Sequence, residues 1–124
     1  NDHRIRVSGK NNLNSSVLGT NLDNYNRNNL DKNHQNAIIS LIKMGSFIRN
    51  SGSILLDMAW VAAGRLDGFW SRNLKESDSL PGQLIVNQAG GFSTDFSMRE
   101  KKITTEICMA NPKIHDLLIK LLND

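Results

Sequence analysis

The stretch GSILLDMAWVAAGRLDGFW, residues 52–70, decides the fold. Within 52–64 the apolar side chains fall on every side, so the spacing predicts a helix that is buried all round. Ser53 stands near its start, where a hydroxyl accepts a free backbone N–H. Gly64 ends it, because glycine enters the left-handed conformation without a Cβ penalty. LDGFW, residues 66–70, follows at once and reads as a strand. A buried helix that feeds a strand belongs to a layered α/β domain.

The pattern continues on both sides. Downstream, DSLPGQLIVNQA predicts a helix over 78–89, with Pro81 tolerated in its first turn and Gly90-Gly91 as its stop. FSTDF (92–96) and a segment near 106–109 read as strands, and Asn111-Pro112 opens a terminal helix ending at Leu122. Upstream, FIRN (47–50) and SVLGT (16–20) read as strands. An amphipathic helix spans about 29–45, with Ala37, Ile38, Leu41, Ile42 and Met44 near helical spacing and Gly45 as its stop. HRIRVS (3–8) alternates as a strand, with Ile5 and Val7 on one face. Ten of the sixteen asparagines fall within 11–36, so NLDNYNRNN reads as loop. Strands alternating with helices predict an α/β fold with a mixed sheet flanked by helices. Asn1-Asp2 resembles the tip of a hairpin whose first strand is not in the chain, so the expectation is the C-terminal portion of a longer protein.

At 124 residues the chain fits one domain with a real core. No apolar run approaches the roughly 18 residues of a membrane span. The net charge of +3 is mild and the basic residues are scattered, which weighs against nucleic acid as the main ligand. A single cysteine, Cys108, excludes an internal disulfide and fits a reducing compartment, so a cytoplasmic location is expected. Its setting, EICMAN, reads as a buried strand and a structural thiol.

The residues alone leave the chemistry open. Asp78 reads as a carboxylate at a helix start, where it suits free N–H groups and the positive helix end. The same carboxylate is a candidate ligand for Mg²⁺, which takes one or two carboxylates plus phosphate oxygens. Gly52-Ser53-Ile54 reads either as a plain serine cap or as an anion- and hydroxyl-binding helix start. Asp57, alone in an apolar helix, and Asp67 read as structural, with hydrogen-bonding partners expected if they are buried. His3, His34 and His115 have no metal-ligand spacing. GxSxG, P-loop and paired-cysteine motifs are absent from the sequence.

Taken together, IRNSGSILLDMAWVAAGRLDGFW (48–70) and LKESDSLPGQLIVNQAGGFSTDF (74–96) resemble the C-terminal half of the inositol monophosphatase family of Mg²⁺-dependent sugar and polyol phosphatases. The family pattern reads approximately R-x-x-G-S-A-A-L-D-L-x-x-V-A-x-G-R-x-D-G-F, then L-x-x-W-D-x-A-A-G, then E-A-G-G. Arg49, Gly52-Ser53, Leu56-Asp57, Val61 to Arg65, Asp67 to Phe69, Asp78, Gly82 and Ala89 to Gly91 match it in order. The resemblance implies the C-terminal part of a layered α-β-α-β-α sandwich, Mg²⁺ as cofactor and Asp78 as a metal ligand. It implies substrate contacts at Gly52, Ser53 and Ile54. It also implies a small phosphorylated polyol or sugar as substrate and a homodimer.

Three departures stand out. Ser77 replaces the tryptophan before the aspartate, Leu80-Pro81 replaces the two alanines, and Ser71 stands where inositol-selective members carry a glutamate that bonds the polyol. The family's D-P-x-D-G-T segment and an earlier glutamate, which supply most of its metal ligands, are not in this chain. The fragment alone is therefore expected to be inactive. The alternatives are a nucleotide 3′-phosphatase or other sugar phosphatase, or a catalytically degenerate regulatory or binding member.

Overall fold

The computed structural model describes residues 5–21, 32–72, 74–75 and 78–124. Among them run, in chain order, β1 (Val17–Thr20), α1 (Lys32–Lys43), β2 (Phe47–Arg49), α2 (Ile54–Ala62) and β3 (Gly68–Ser71). These are followed by α3 (Leu80–Gln88), β4 (Phe92–Thr94), β5 (Ile107–Ala110) and α4 (Pro112–Leu122). The strands form one mixed sheet in the order β2-β1-β3-β5-β4. β1 is parallel to both β2 and β3, while β5 is antiparallel to β3 and β4.

The step from β1 to β2 and the step from β2 to β3 move in opposite directions along the sheet. Right-handed crossovers therefore place α1 and α2 on opposite faces. The two cores agree with that. One joins Ala37 and Leu41 of α1 to Ile114, Leu118 and Leu122 of α4 over Leu18, Trp70 and Cys108. The other joins Met58, Val61 and Ala62 of α2 to Val86 of α3 over Phe69, Ile107 and Met109. Successive residues of β3 and β5 alternate between these cores, so both strands are buried on both faces and read as near-continuous apolar runs.

Gly64, with φ +77°, ends α2 as its sequence suggests, and a Cβ there would lie 3.0 Å from Arg6 O. Asn111 caps α4 by accepting from Ile114 N–H at 2.8 Å. Its side-chain amide donates to Ser8 O and Lys10 O, each at 2.8 Å, and so straps residues 8–10 to the core. In the β4–β5 connection, Asp95 is buried and accepts from the Ser97 and Arg99 N–H groups at 2.9 Å each. Burial pushes its pKa up, but those bonds, with Lys101 and Arg99, bring it below the usual carboxylate value.

Several expectations need correction. The described part of 3–8, residues 5–8, forms no strand; Val7 N–H donates to Ala89 O at 3.1 Å, so this segment leans on a helix end instead of a sheet edge. Residues 3 and 4 and most of the 21–29 loop lie outside the described residues. The 92–96 strand stops at Thr94, where Asp95 turns the chain. α2 is not buried all round, because Leu55 (53%) and Leu56 (41%) are exposed on the side away from the sheet-facing Asp57 and Met58. The helix expected at 78–89 begins at Leu80, with Ser79 as its N-cap. No helix among the described residues is long and apolar enough to cross a membrane.

Candidate functional site at the carboxyl edge of the parallel strands

Because β1, β2 and β3 are parallel, their carboxyl ends share one edge of the sheet, and the β2–α2 and β3–α3 connections both leave there. Strands whose connections depart to opposite faces leave a crevice at that edge, the usual ligand position in open α/β sheets. Gly52, Ser53, Ile54, Ser71 and Asp78 all belong to these two connections or their flanks. α2 and α3 pack side by side, and they approach closely where Gly82 meets Met58: a Cβ at residue 82 would lie 2.7 Å from Met58 Cβ. Gly82 sits in the first turn of α3 and Met58 at the start of the second turn of α2, so the N-terminal halves of the two helices are brought together.

The start of α2 is a tight turn. Gly52 adopts φ +83°, which glycine takes without strain. Its N–H donates to Asn50 Oδ1 at 3.3 Å, and Ser53 N–H donates to Ser51 Oγ at 3.0 Å. Ser53 is the N-cap, and its hydroxyl accepts from Leu56 N–H at 3.2 Å. The amides of Gly52 and Ser53 are therefore already engaged. Those of Ile54 and Leu55 have no acceptor among the described residues and stand at the positive end of the helix. Sequence reading centred this feature on Gly52–Ile54 and missed Leu55. The signal available was positional, since the amide two residues past a cap is one of the donors a helix leaves open.

On the other connection, Ser71 closes β3 opposite Ile107. Residues two apart on a strand share a face, so Ser71 lies on the α2–α3 side with Phe69. It is fully buried, and its hydroxyl has no hydrogen-bond partner among the described residues. The next residue, Arg72, turns away: it donates to Leu122 O at 3.2 Å and lies 4.7 Å over the Phe96 ring. Asp78 is exposed, its N–H donates to Lys75 O at 3.0 Å, and its carboxylate has no partner among the described residues. It is not the cap. Ser79 holds that position, and its hydroxyl accepts from Gln83 Nε2 at 2.8 Å.

Asp67 clips the start of β1: its N–H donates to Val17 O and its Oδ2 accepts from Val17 N–H, each at 2.7 Å. Asp57 is 1% exposed, and its Oδ1 has no partner among the described residues. Burial raises its pKa above the ordinary carboxylate range, and a hydrogen bond from Ser51 opposes that rise. His34 packs against Trp70, and His115 Nε2 lies 2.7 Å from Thr94 Oγ1, so neither reaches this edge; His3 lies outside the described residues.

Among the described residues no three His, Cys, Asp or Glu side chains gather to hold a metal. A divalent cation takes several oxygens, so Asp78 suits one position in its shell, and the described residues alone do not complete it.

A model described as "Inositol monophosphatase family" matches residues 1–124. The inositol-1-monophosphatase of Rhizobium meliloti is 43% identical over 98 residues, covering 77% of this chain and 35% of that protein. The Nus factor SuhB of Pseudomonas aeruginosa is 41% identical over 99 residues, covering 78% of this chain and 36% of that protein. The crystal structure of the extragenic suppressor protein SuhB from Bartonella henselae superposes with a TM-score of 0.89 at 34% identity, covering 100% of this chain and 47% of that one. The chain thus spans between about a third and a half of the relatives it matches.

Proposed function

Because the chain belongs to the inositol monophosphatase family, we propose that it is the substrate-facing half of a Mg²⁺-dependent phosphomonoesterase acting on inositol phosphate or a related polyol or sugar phosphate. The observation that supports this reading is the approach of α2 and α3 near one sheet edge, one with open amides at its start and the other preceded by a carboxylate that has no partner among the described residues. Ile54 and Leu55 N–H would receive a substrate hydroxyl or phosphate oxygen. Asp78 would give one carboxylate oxygen to the cation. When bound, Mg²⁺ supplies a water acidic enough to attack near neutral pH and charge to stabilise the leaving alkoxide.

The remaining ligands belong to a complementary half outside this chain, and the exposed Leu55, Leu56, Leu84 and Ile85 of α2 and α3 suit the surface it would cover. This 124-residue piece would be inactive alone, and the intact protein would be a cytoplasmic homodimer. Ser71 offers a short hydroxyl in place of the glutamate of inositol-selective members. A site without that acceptor discriminates less sharply for inositol, so other sugar phosphates and nucleotide 3′-phosphates belong in the substrate panel.

The test is Asp78→Asn in the full-length protein. Mg²⁺-dependent phosphate release is expected to fall by more than the roughly 10–100-fold that loss of an outer-shell partner costs. Unchanged release would end the ligand assignment.

A second reading, a catalytically silent regulatory member, is favoured by Ser77-Asp78-Ser79-Leu80-Pro81 where the family has W-D-x-A-A, and by relatives named Nus factors. Calorimetry of the full-length protein with Mg²⁺ separates the two, since the silent member would bind none.

A further inference from the structure

We infer that Arg72 is a positioning residue: it pins the connection between β3 and α3 to the end of α4 and so fixes where Asp78 stands. The inference rests on the proposal that Asp78 gives an oxygen to the cation, and it adds a residue to which that proposal gives no role. Asp78 is exposed and its carboxylate has no partner among the described residues, so no bond of its own side chain sets its place. That place follows from the backbone beneath it, and hence from whatever holds residues 72–79.

Successive residues of a strand point to opposite faces, so where Ser71 faces α2 and α3, Arg72 faces α4. Its Nη2 donates to Leu122 O at 3.2 Å, a carbonyl at the last residue of α4, where a cation suits the negative helix end. Its guanidinium carbon lies 4.7 Å over the Phe96 ring. That ring is itself held, since Phe96 N–H donates to Glu106 Oε1 at 3.1 Å and Phe96 O accepts from Asn123 Nδ2 at 2.7 Å. Two residues on, Leu74 is buried in the α2–α3 core and its N–H donates to Thr105 O at 2.9 Å. The connection is thus gripped from one face of the sheet by Arg72 and from the other by Leu74. Asp78 stands on the turn that follows, where its N–H donates to Lys75 O at 3.0 Å. Arg72 Nε is buried with no acceptor among the described residues. An arginine kept only for solubility would leave that group in water, because burying it unpartnered is costly.

The test uses the full-length protein with Arg72→Met, Arg72→Lys, Phe96→Leu and the double variant Arg72→Met/Phe96→Leu. Methionine keeps an unbranched apolar stem and loses the charge and the donors. In Arg72→Met the calorimetric Kd for Mg²⁺ is expected to rise about tenfold, the low end of what loss of an outer-shell partner costs. KM for the phosphomonoester at saturating Mg²⁺ is expected to stay within about twofold, since the open amides of α2 are not displaced. Arg72→Lys, which keeps a cation for the carbonyl and the ring, is expected to hold Kd within about threefold of wild type. The double variant is expected to match the worse single one, because the two side chains act as one clamp. Ile119→Val thins the same α4 core without removing the clamp, and it is expected to lower Tm while leaving Kd unmoved. A Kd unmoved by Arg72→Met, or raised as much by Ile119→Val, would overturn the inference.

Amide exchange keeps this outcome separate from the cation. Faster exchange of the Leu74 and Asp78 amides in Arg72→Met, with the core amides of α4 still protected, upholds the clamp. Unchanged protection at those two amides, or a rise spread over the whole chain, overturns it, whether or not the wild-type protein binds Mg²⁺. A wild-type protein that binds no Mg²⁺, beside an Arg72→Met variant loosened at 74 and 78, would count against the phosphatase reading alone.

Discussion

Gly82→Ala tests how the two helix starts are held together. The added Cβ would lie 2.7 Å from Met58 Cβ and 2.9 Å from Met58 Cγ. The outer part of the Met58 side chain can rotate away, but its Cβ is fixed to the α2 backbone. Restoring ordinary carbon–carbon separation, at roughly 3.5–4.0 Å, requires α3 to back away from α2 by about 1 Å. Overpacking of this kind costs about 1–3 kcal/mol. For a chain of roughly 150–250 residues that lowers Tm by about 2–4 °C per kcal/mol.

The same displacement carries Asp78 away from Ile54 and Leu55, and a misplacement of about 1 Å can cost on the order of 100-fold in rate. Full-length Gly82→Ala should therefore lose both Tm in a melting curve and kcat/KM in a phosphate-release assay. Met58→Ala added to it should rescue only part of the loss, since the clashing Cβ remains. A Gly82→Ala protein that melts and turns over like the wild type would refute the close approach and the coupling drawn from it.

Other consequences can be measured on the same full-length protein. Burial holds the His115 imidazole below its ordinary pKa of 6.5, against the opposing charge of Asp116. The unfolded chain then binds more protons than the folded one below that value, so stability is complete above pH 6.5 and falls as the pH drops through 6.5 toward the folded pKa. Urea titrations should show that fall, and His115→Gln should flatten it. Burial alone drives the Cys108 thiol well above its ordinary pKa, so a thiol reagent should label it only as fast as the core opens, and denaturant should speed labelling sharply. Asn111→Asp keeps an acceptor for the α4 cap but loses the donors to Ser8 and Lys10. It should cost about 1–3 kcal/mol and expose residues 5–11 to proteolysis, while Asn111→Ala should cost more because the cap is lost as well.

The elements that sequence reading located well are those whose signals are local. Gly64 closing α2, Asn111-Pro112 opening α4 and the unbroken apolar runs of β3 and β5 each state a backbone conformation or a two-faced burial within a few residues. Helix starts were less exact. Asp78 and Ser79 are adjacent and both suit a cap, and the sequence does not say which takes it; Ser79 holds the place without a side-chain cap bond, its hydroxyl accepting from Gln83 Nε2 within the same helix. The strand expected around Ile5 and Val7 failed for a related reason. Alternation describes a segment that suits a ladder, but a ladder also needs a neighbour, and the backbone that Val7 N–H bonds is the end of α3.

What the sequence hid most completely is the direction in which equivalent residues face. In Leu55, Leu56, Asp57 and Met58 the polarity runs against the burial: two leucines are exposed while the carboxyl is buried with the methionine. Polarity alone would have turned Asp57 outward and Leu55 inward. Helical geometry decides otherwise, because Asp57 and Met58 share the sheet-facing side with Val61 and Ala62. The cost of burying a carboxyl there is lowered by the missing side chain at Gly19 and by the Ser51 hydroxyl. That compensation involves residues 38 and 6 positions away in the chain, which no periodicity within α2 encodes. Fold class was therefore readable from runs and stops, whereas the candidate site depends on pairwise accommodations between β1, the 50–53 connection and α2 that lie far apart in the chain.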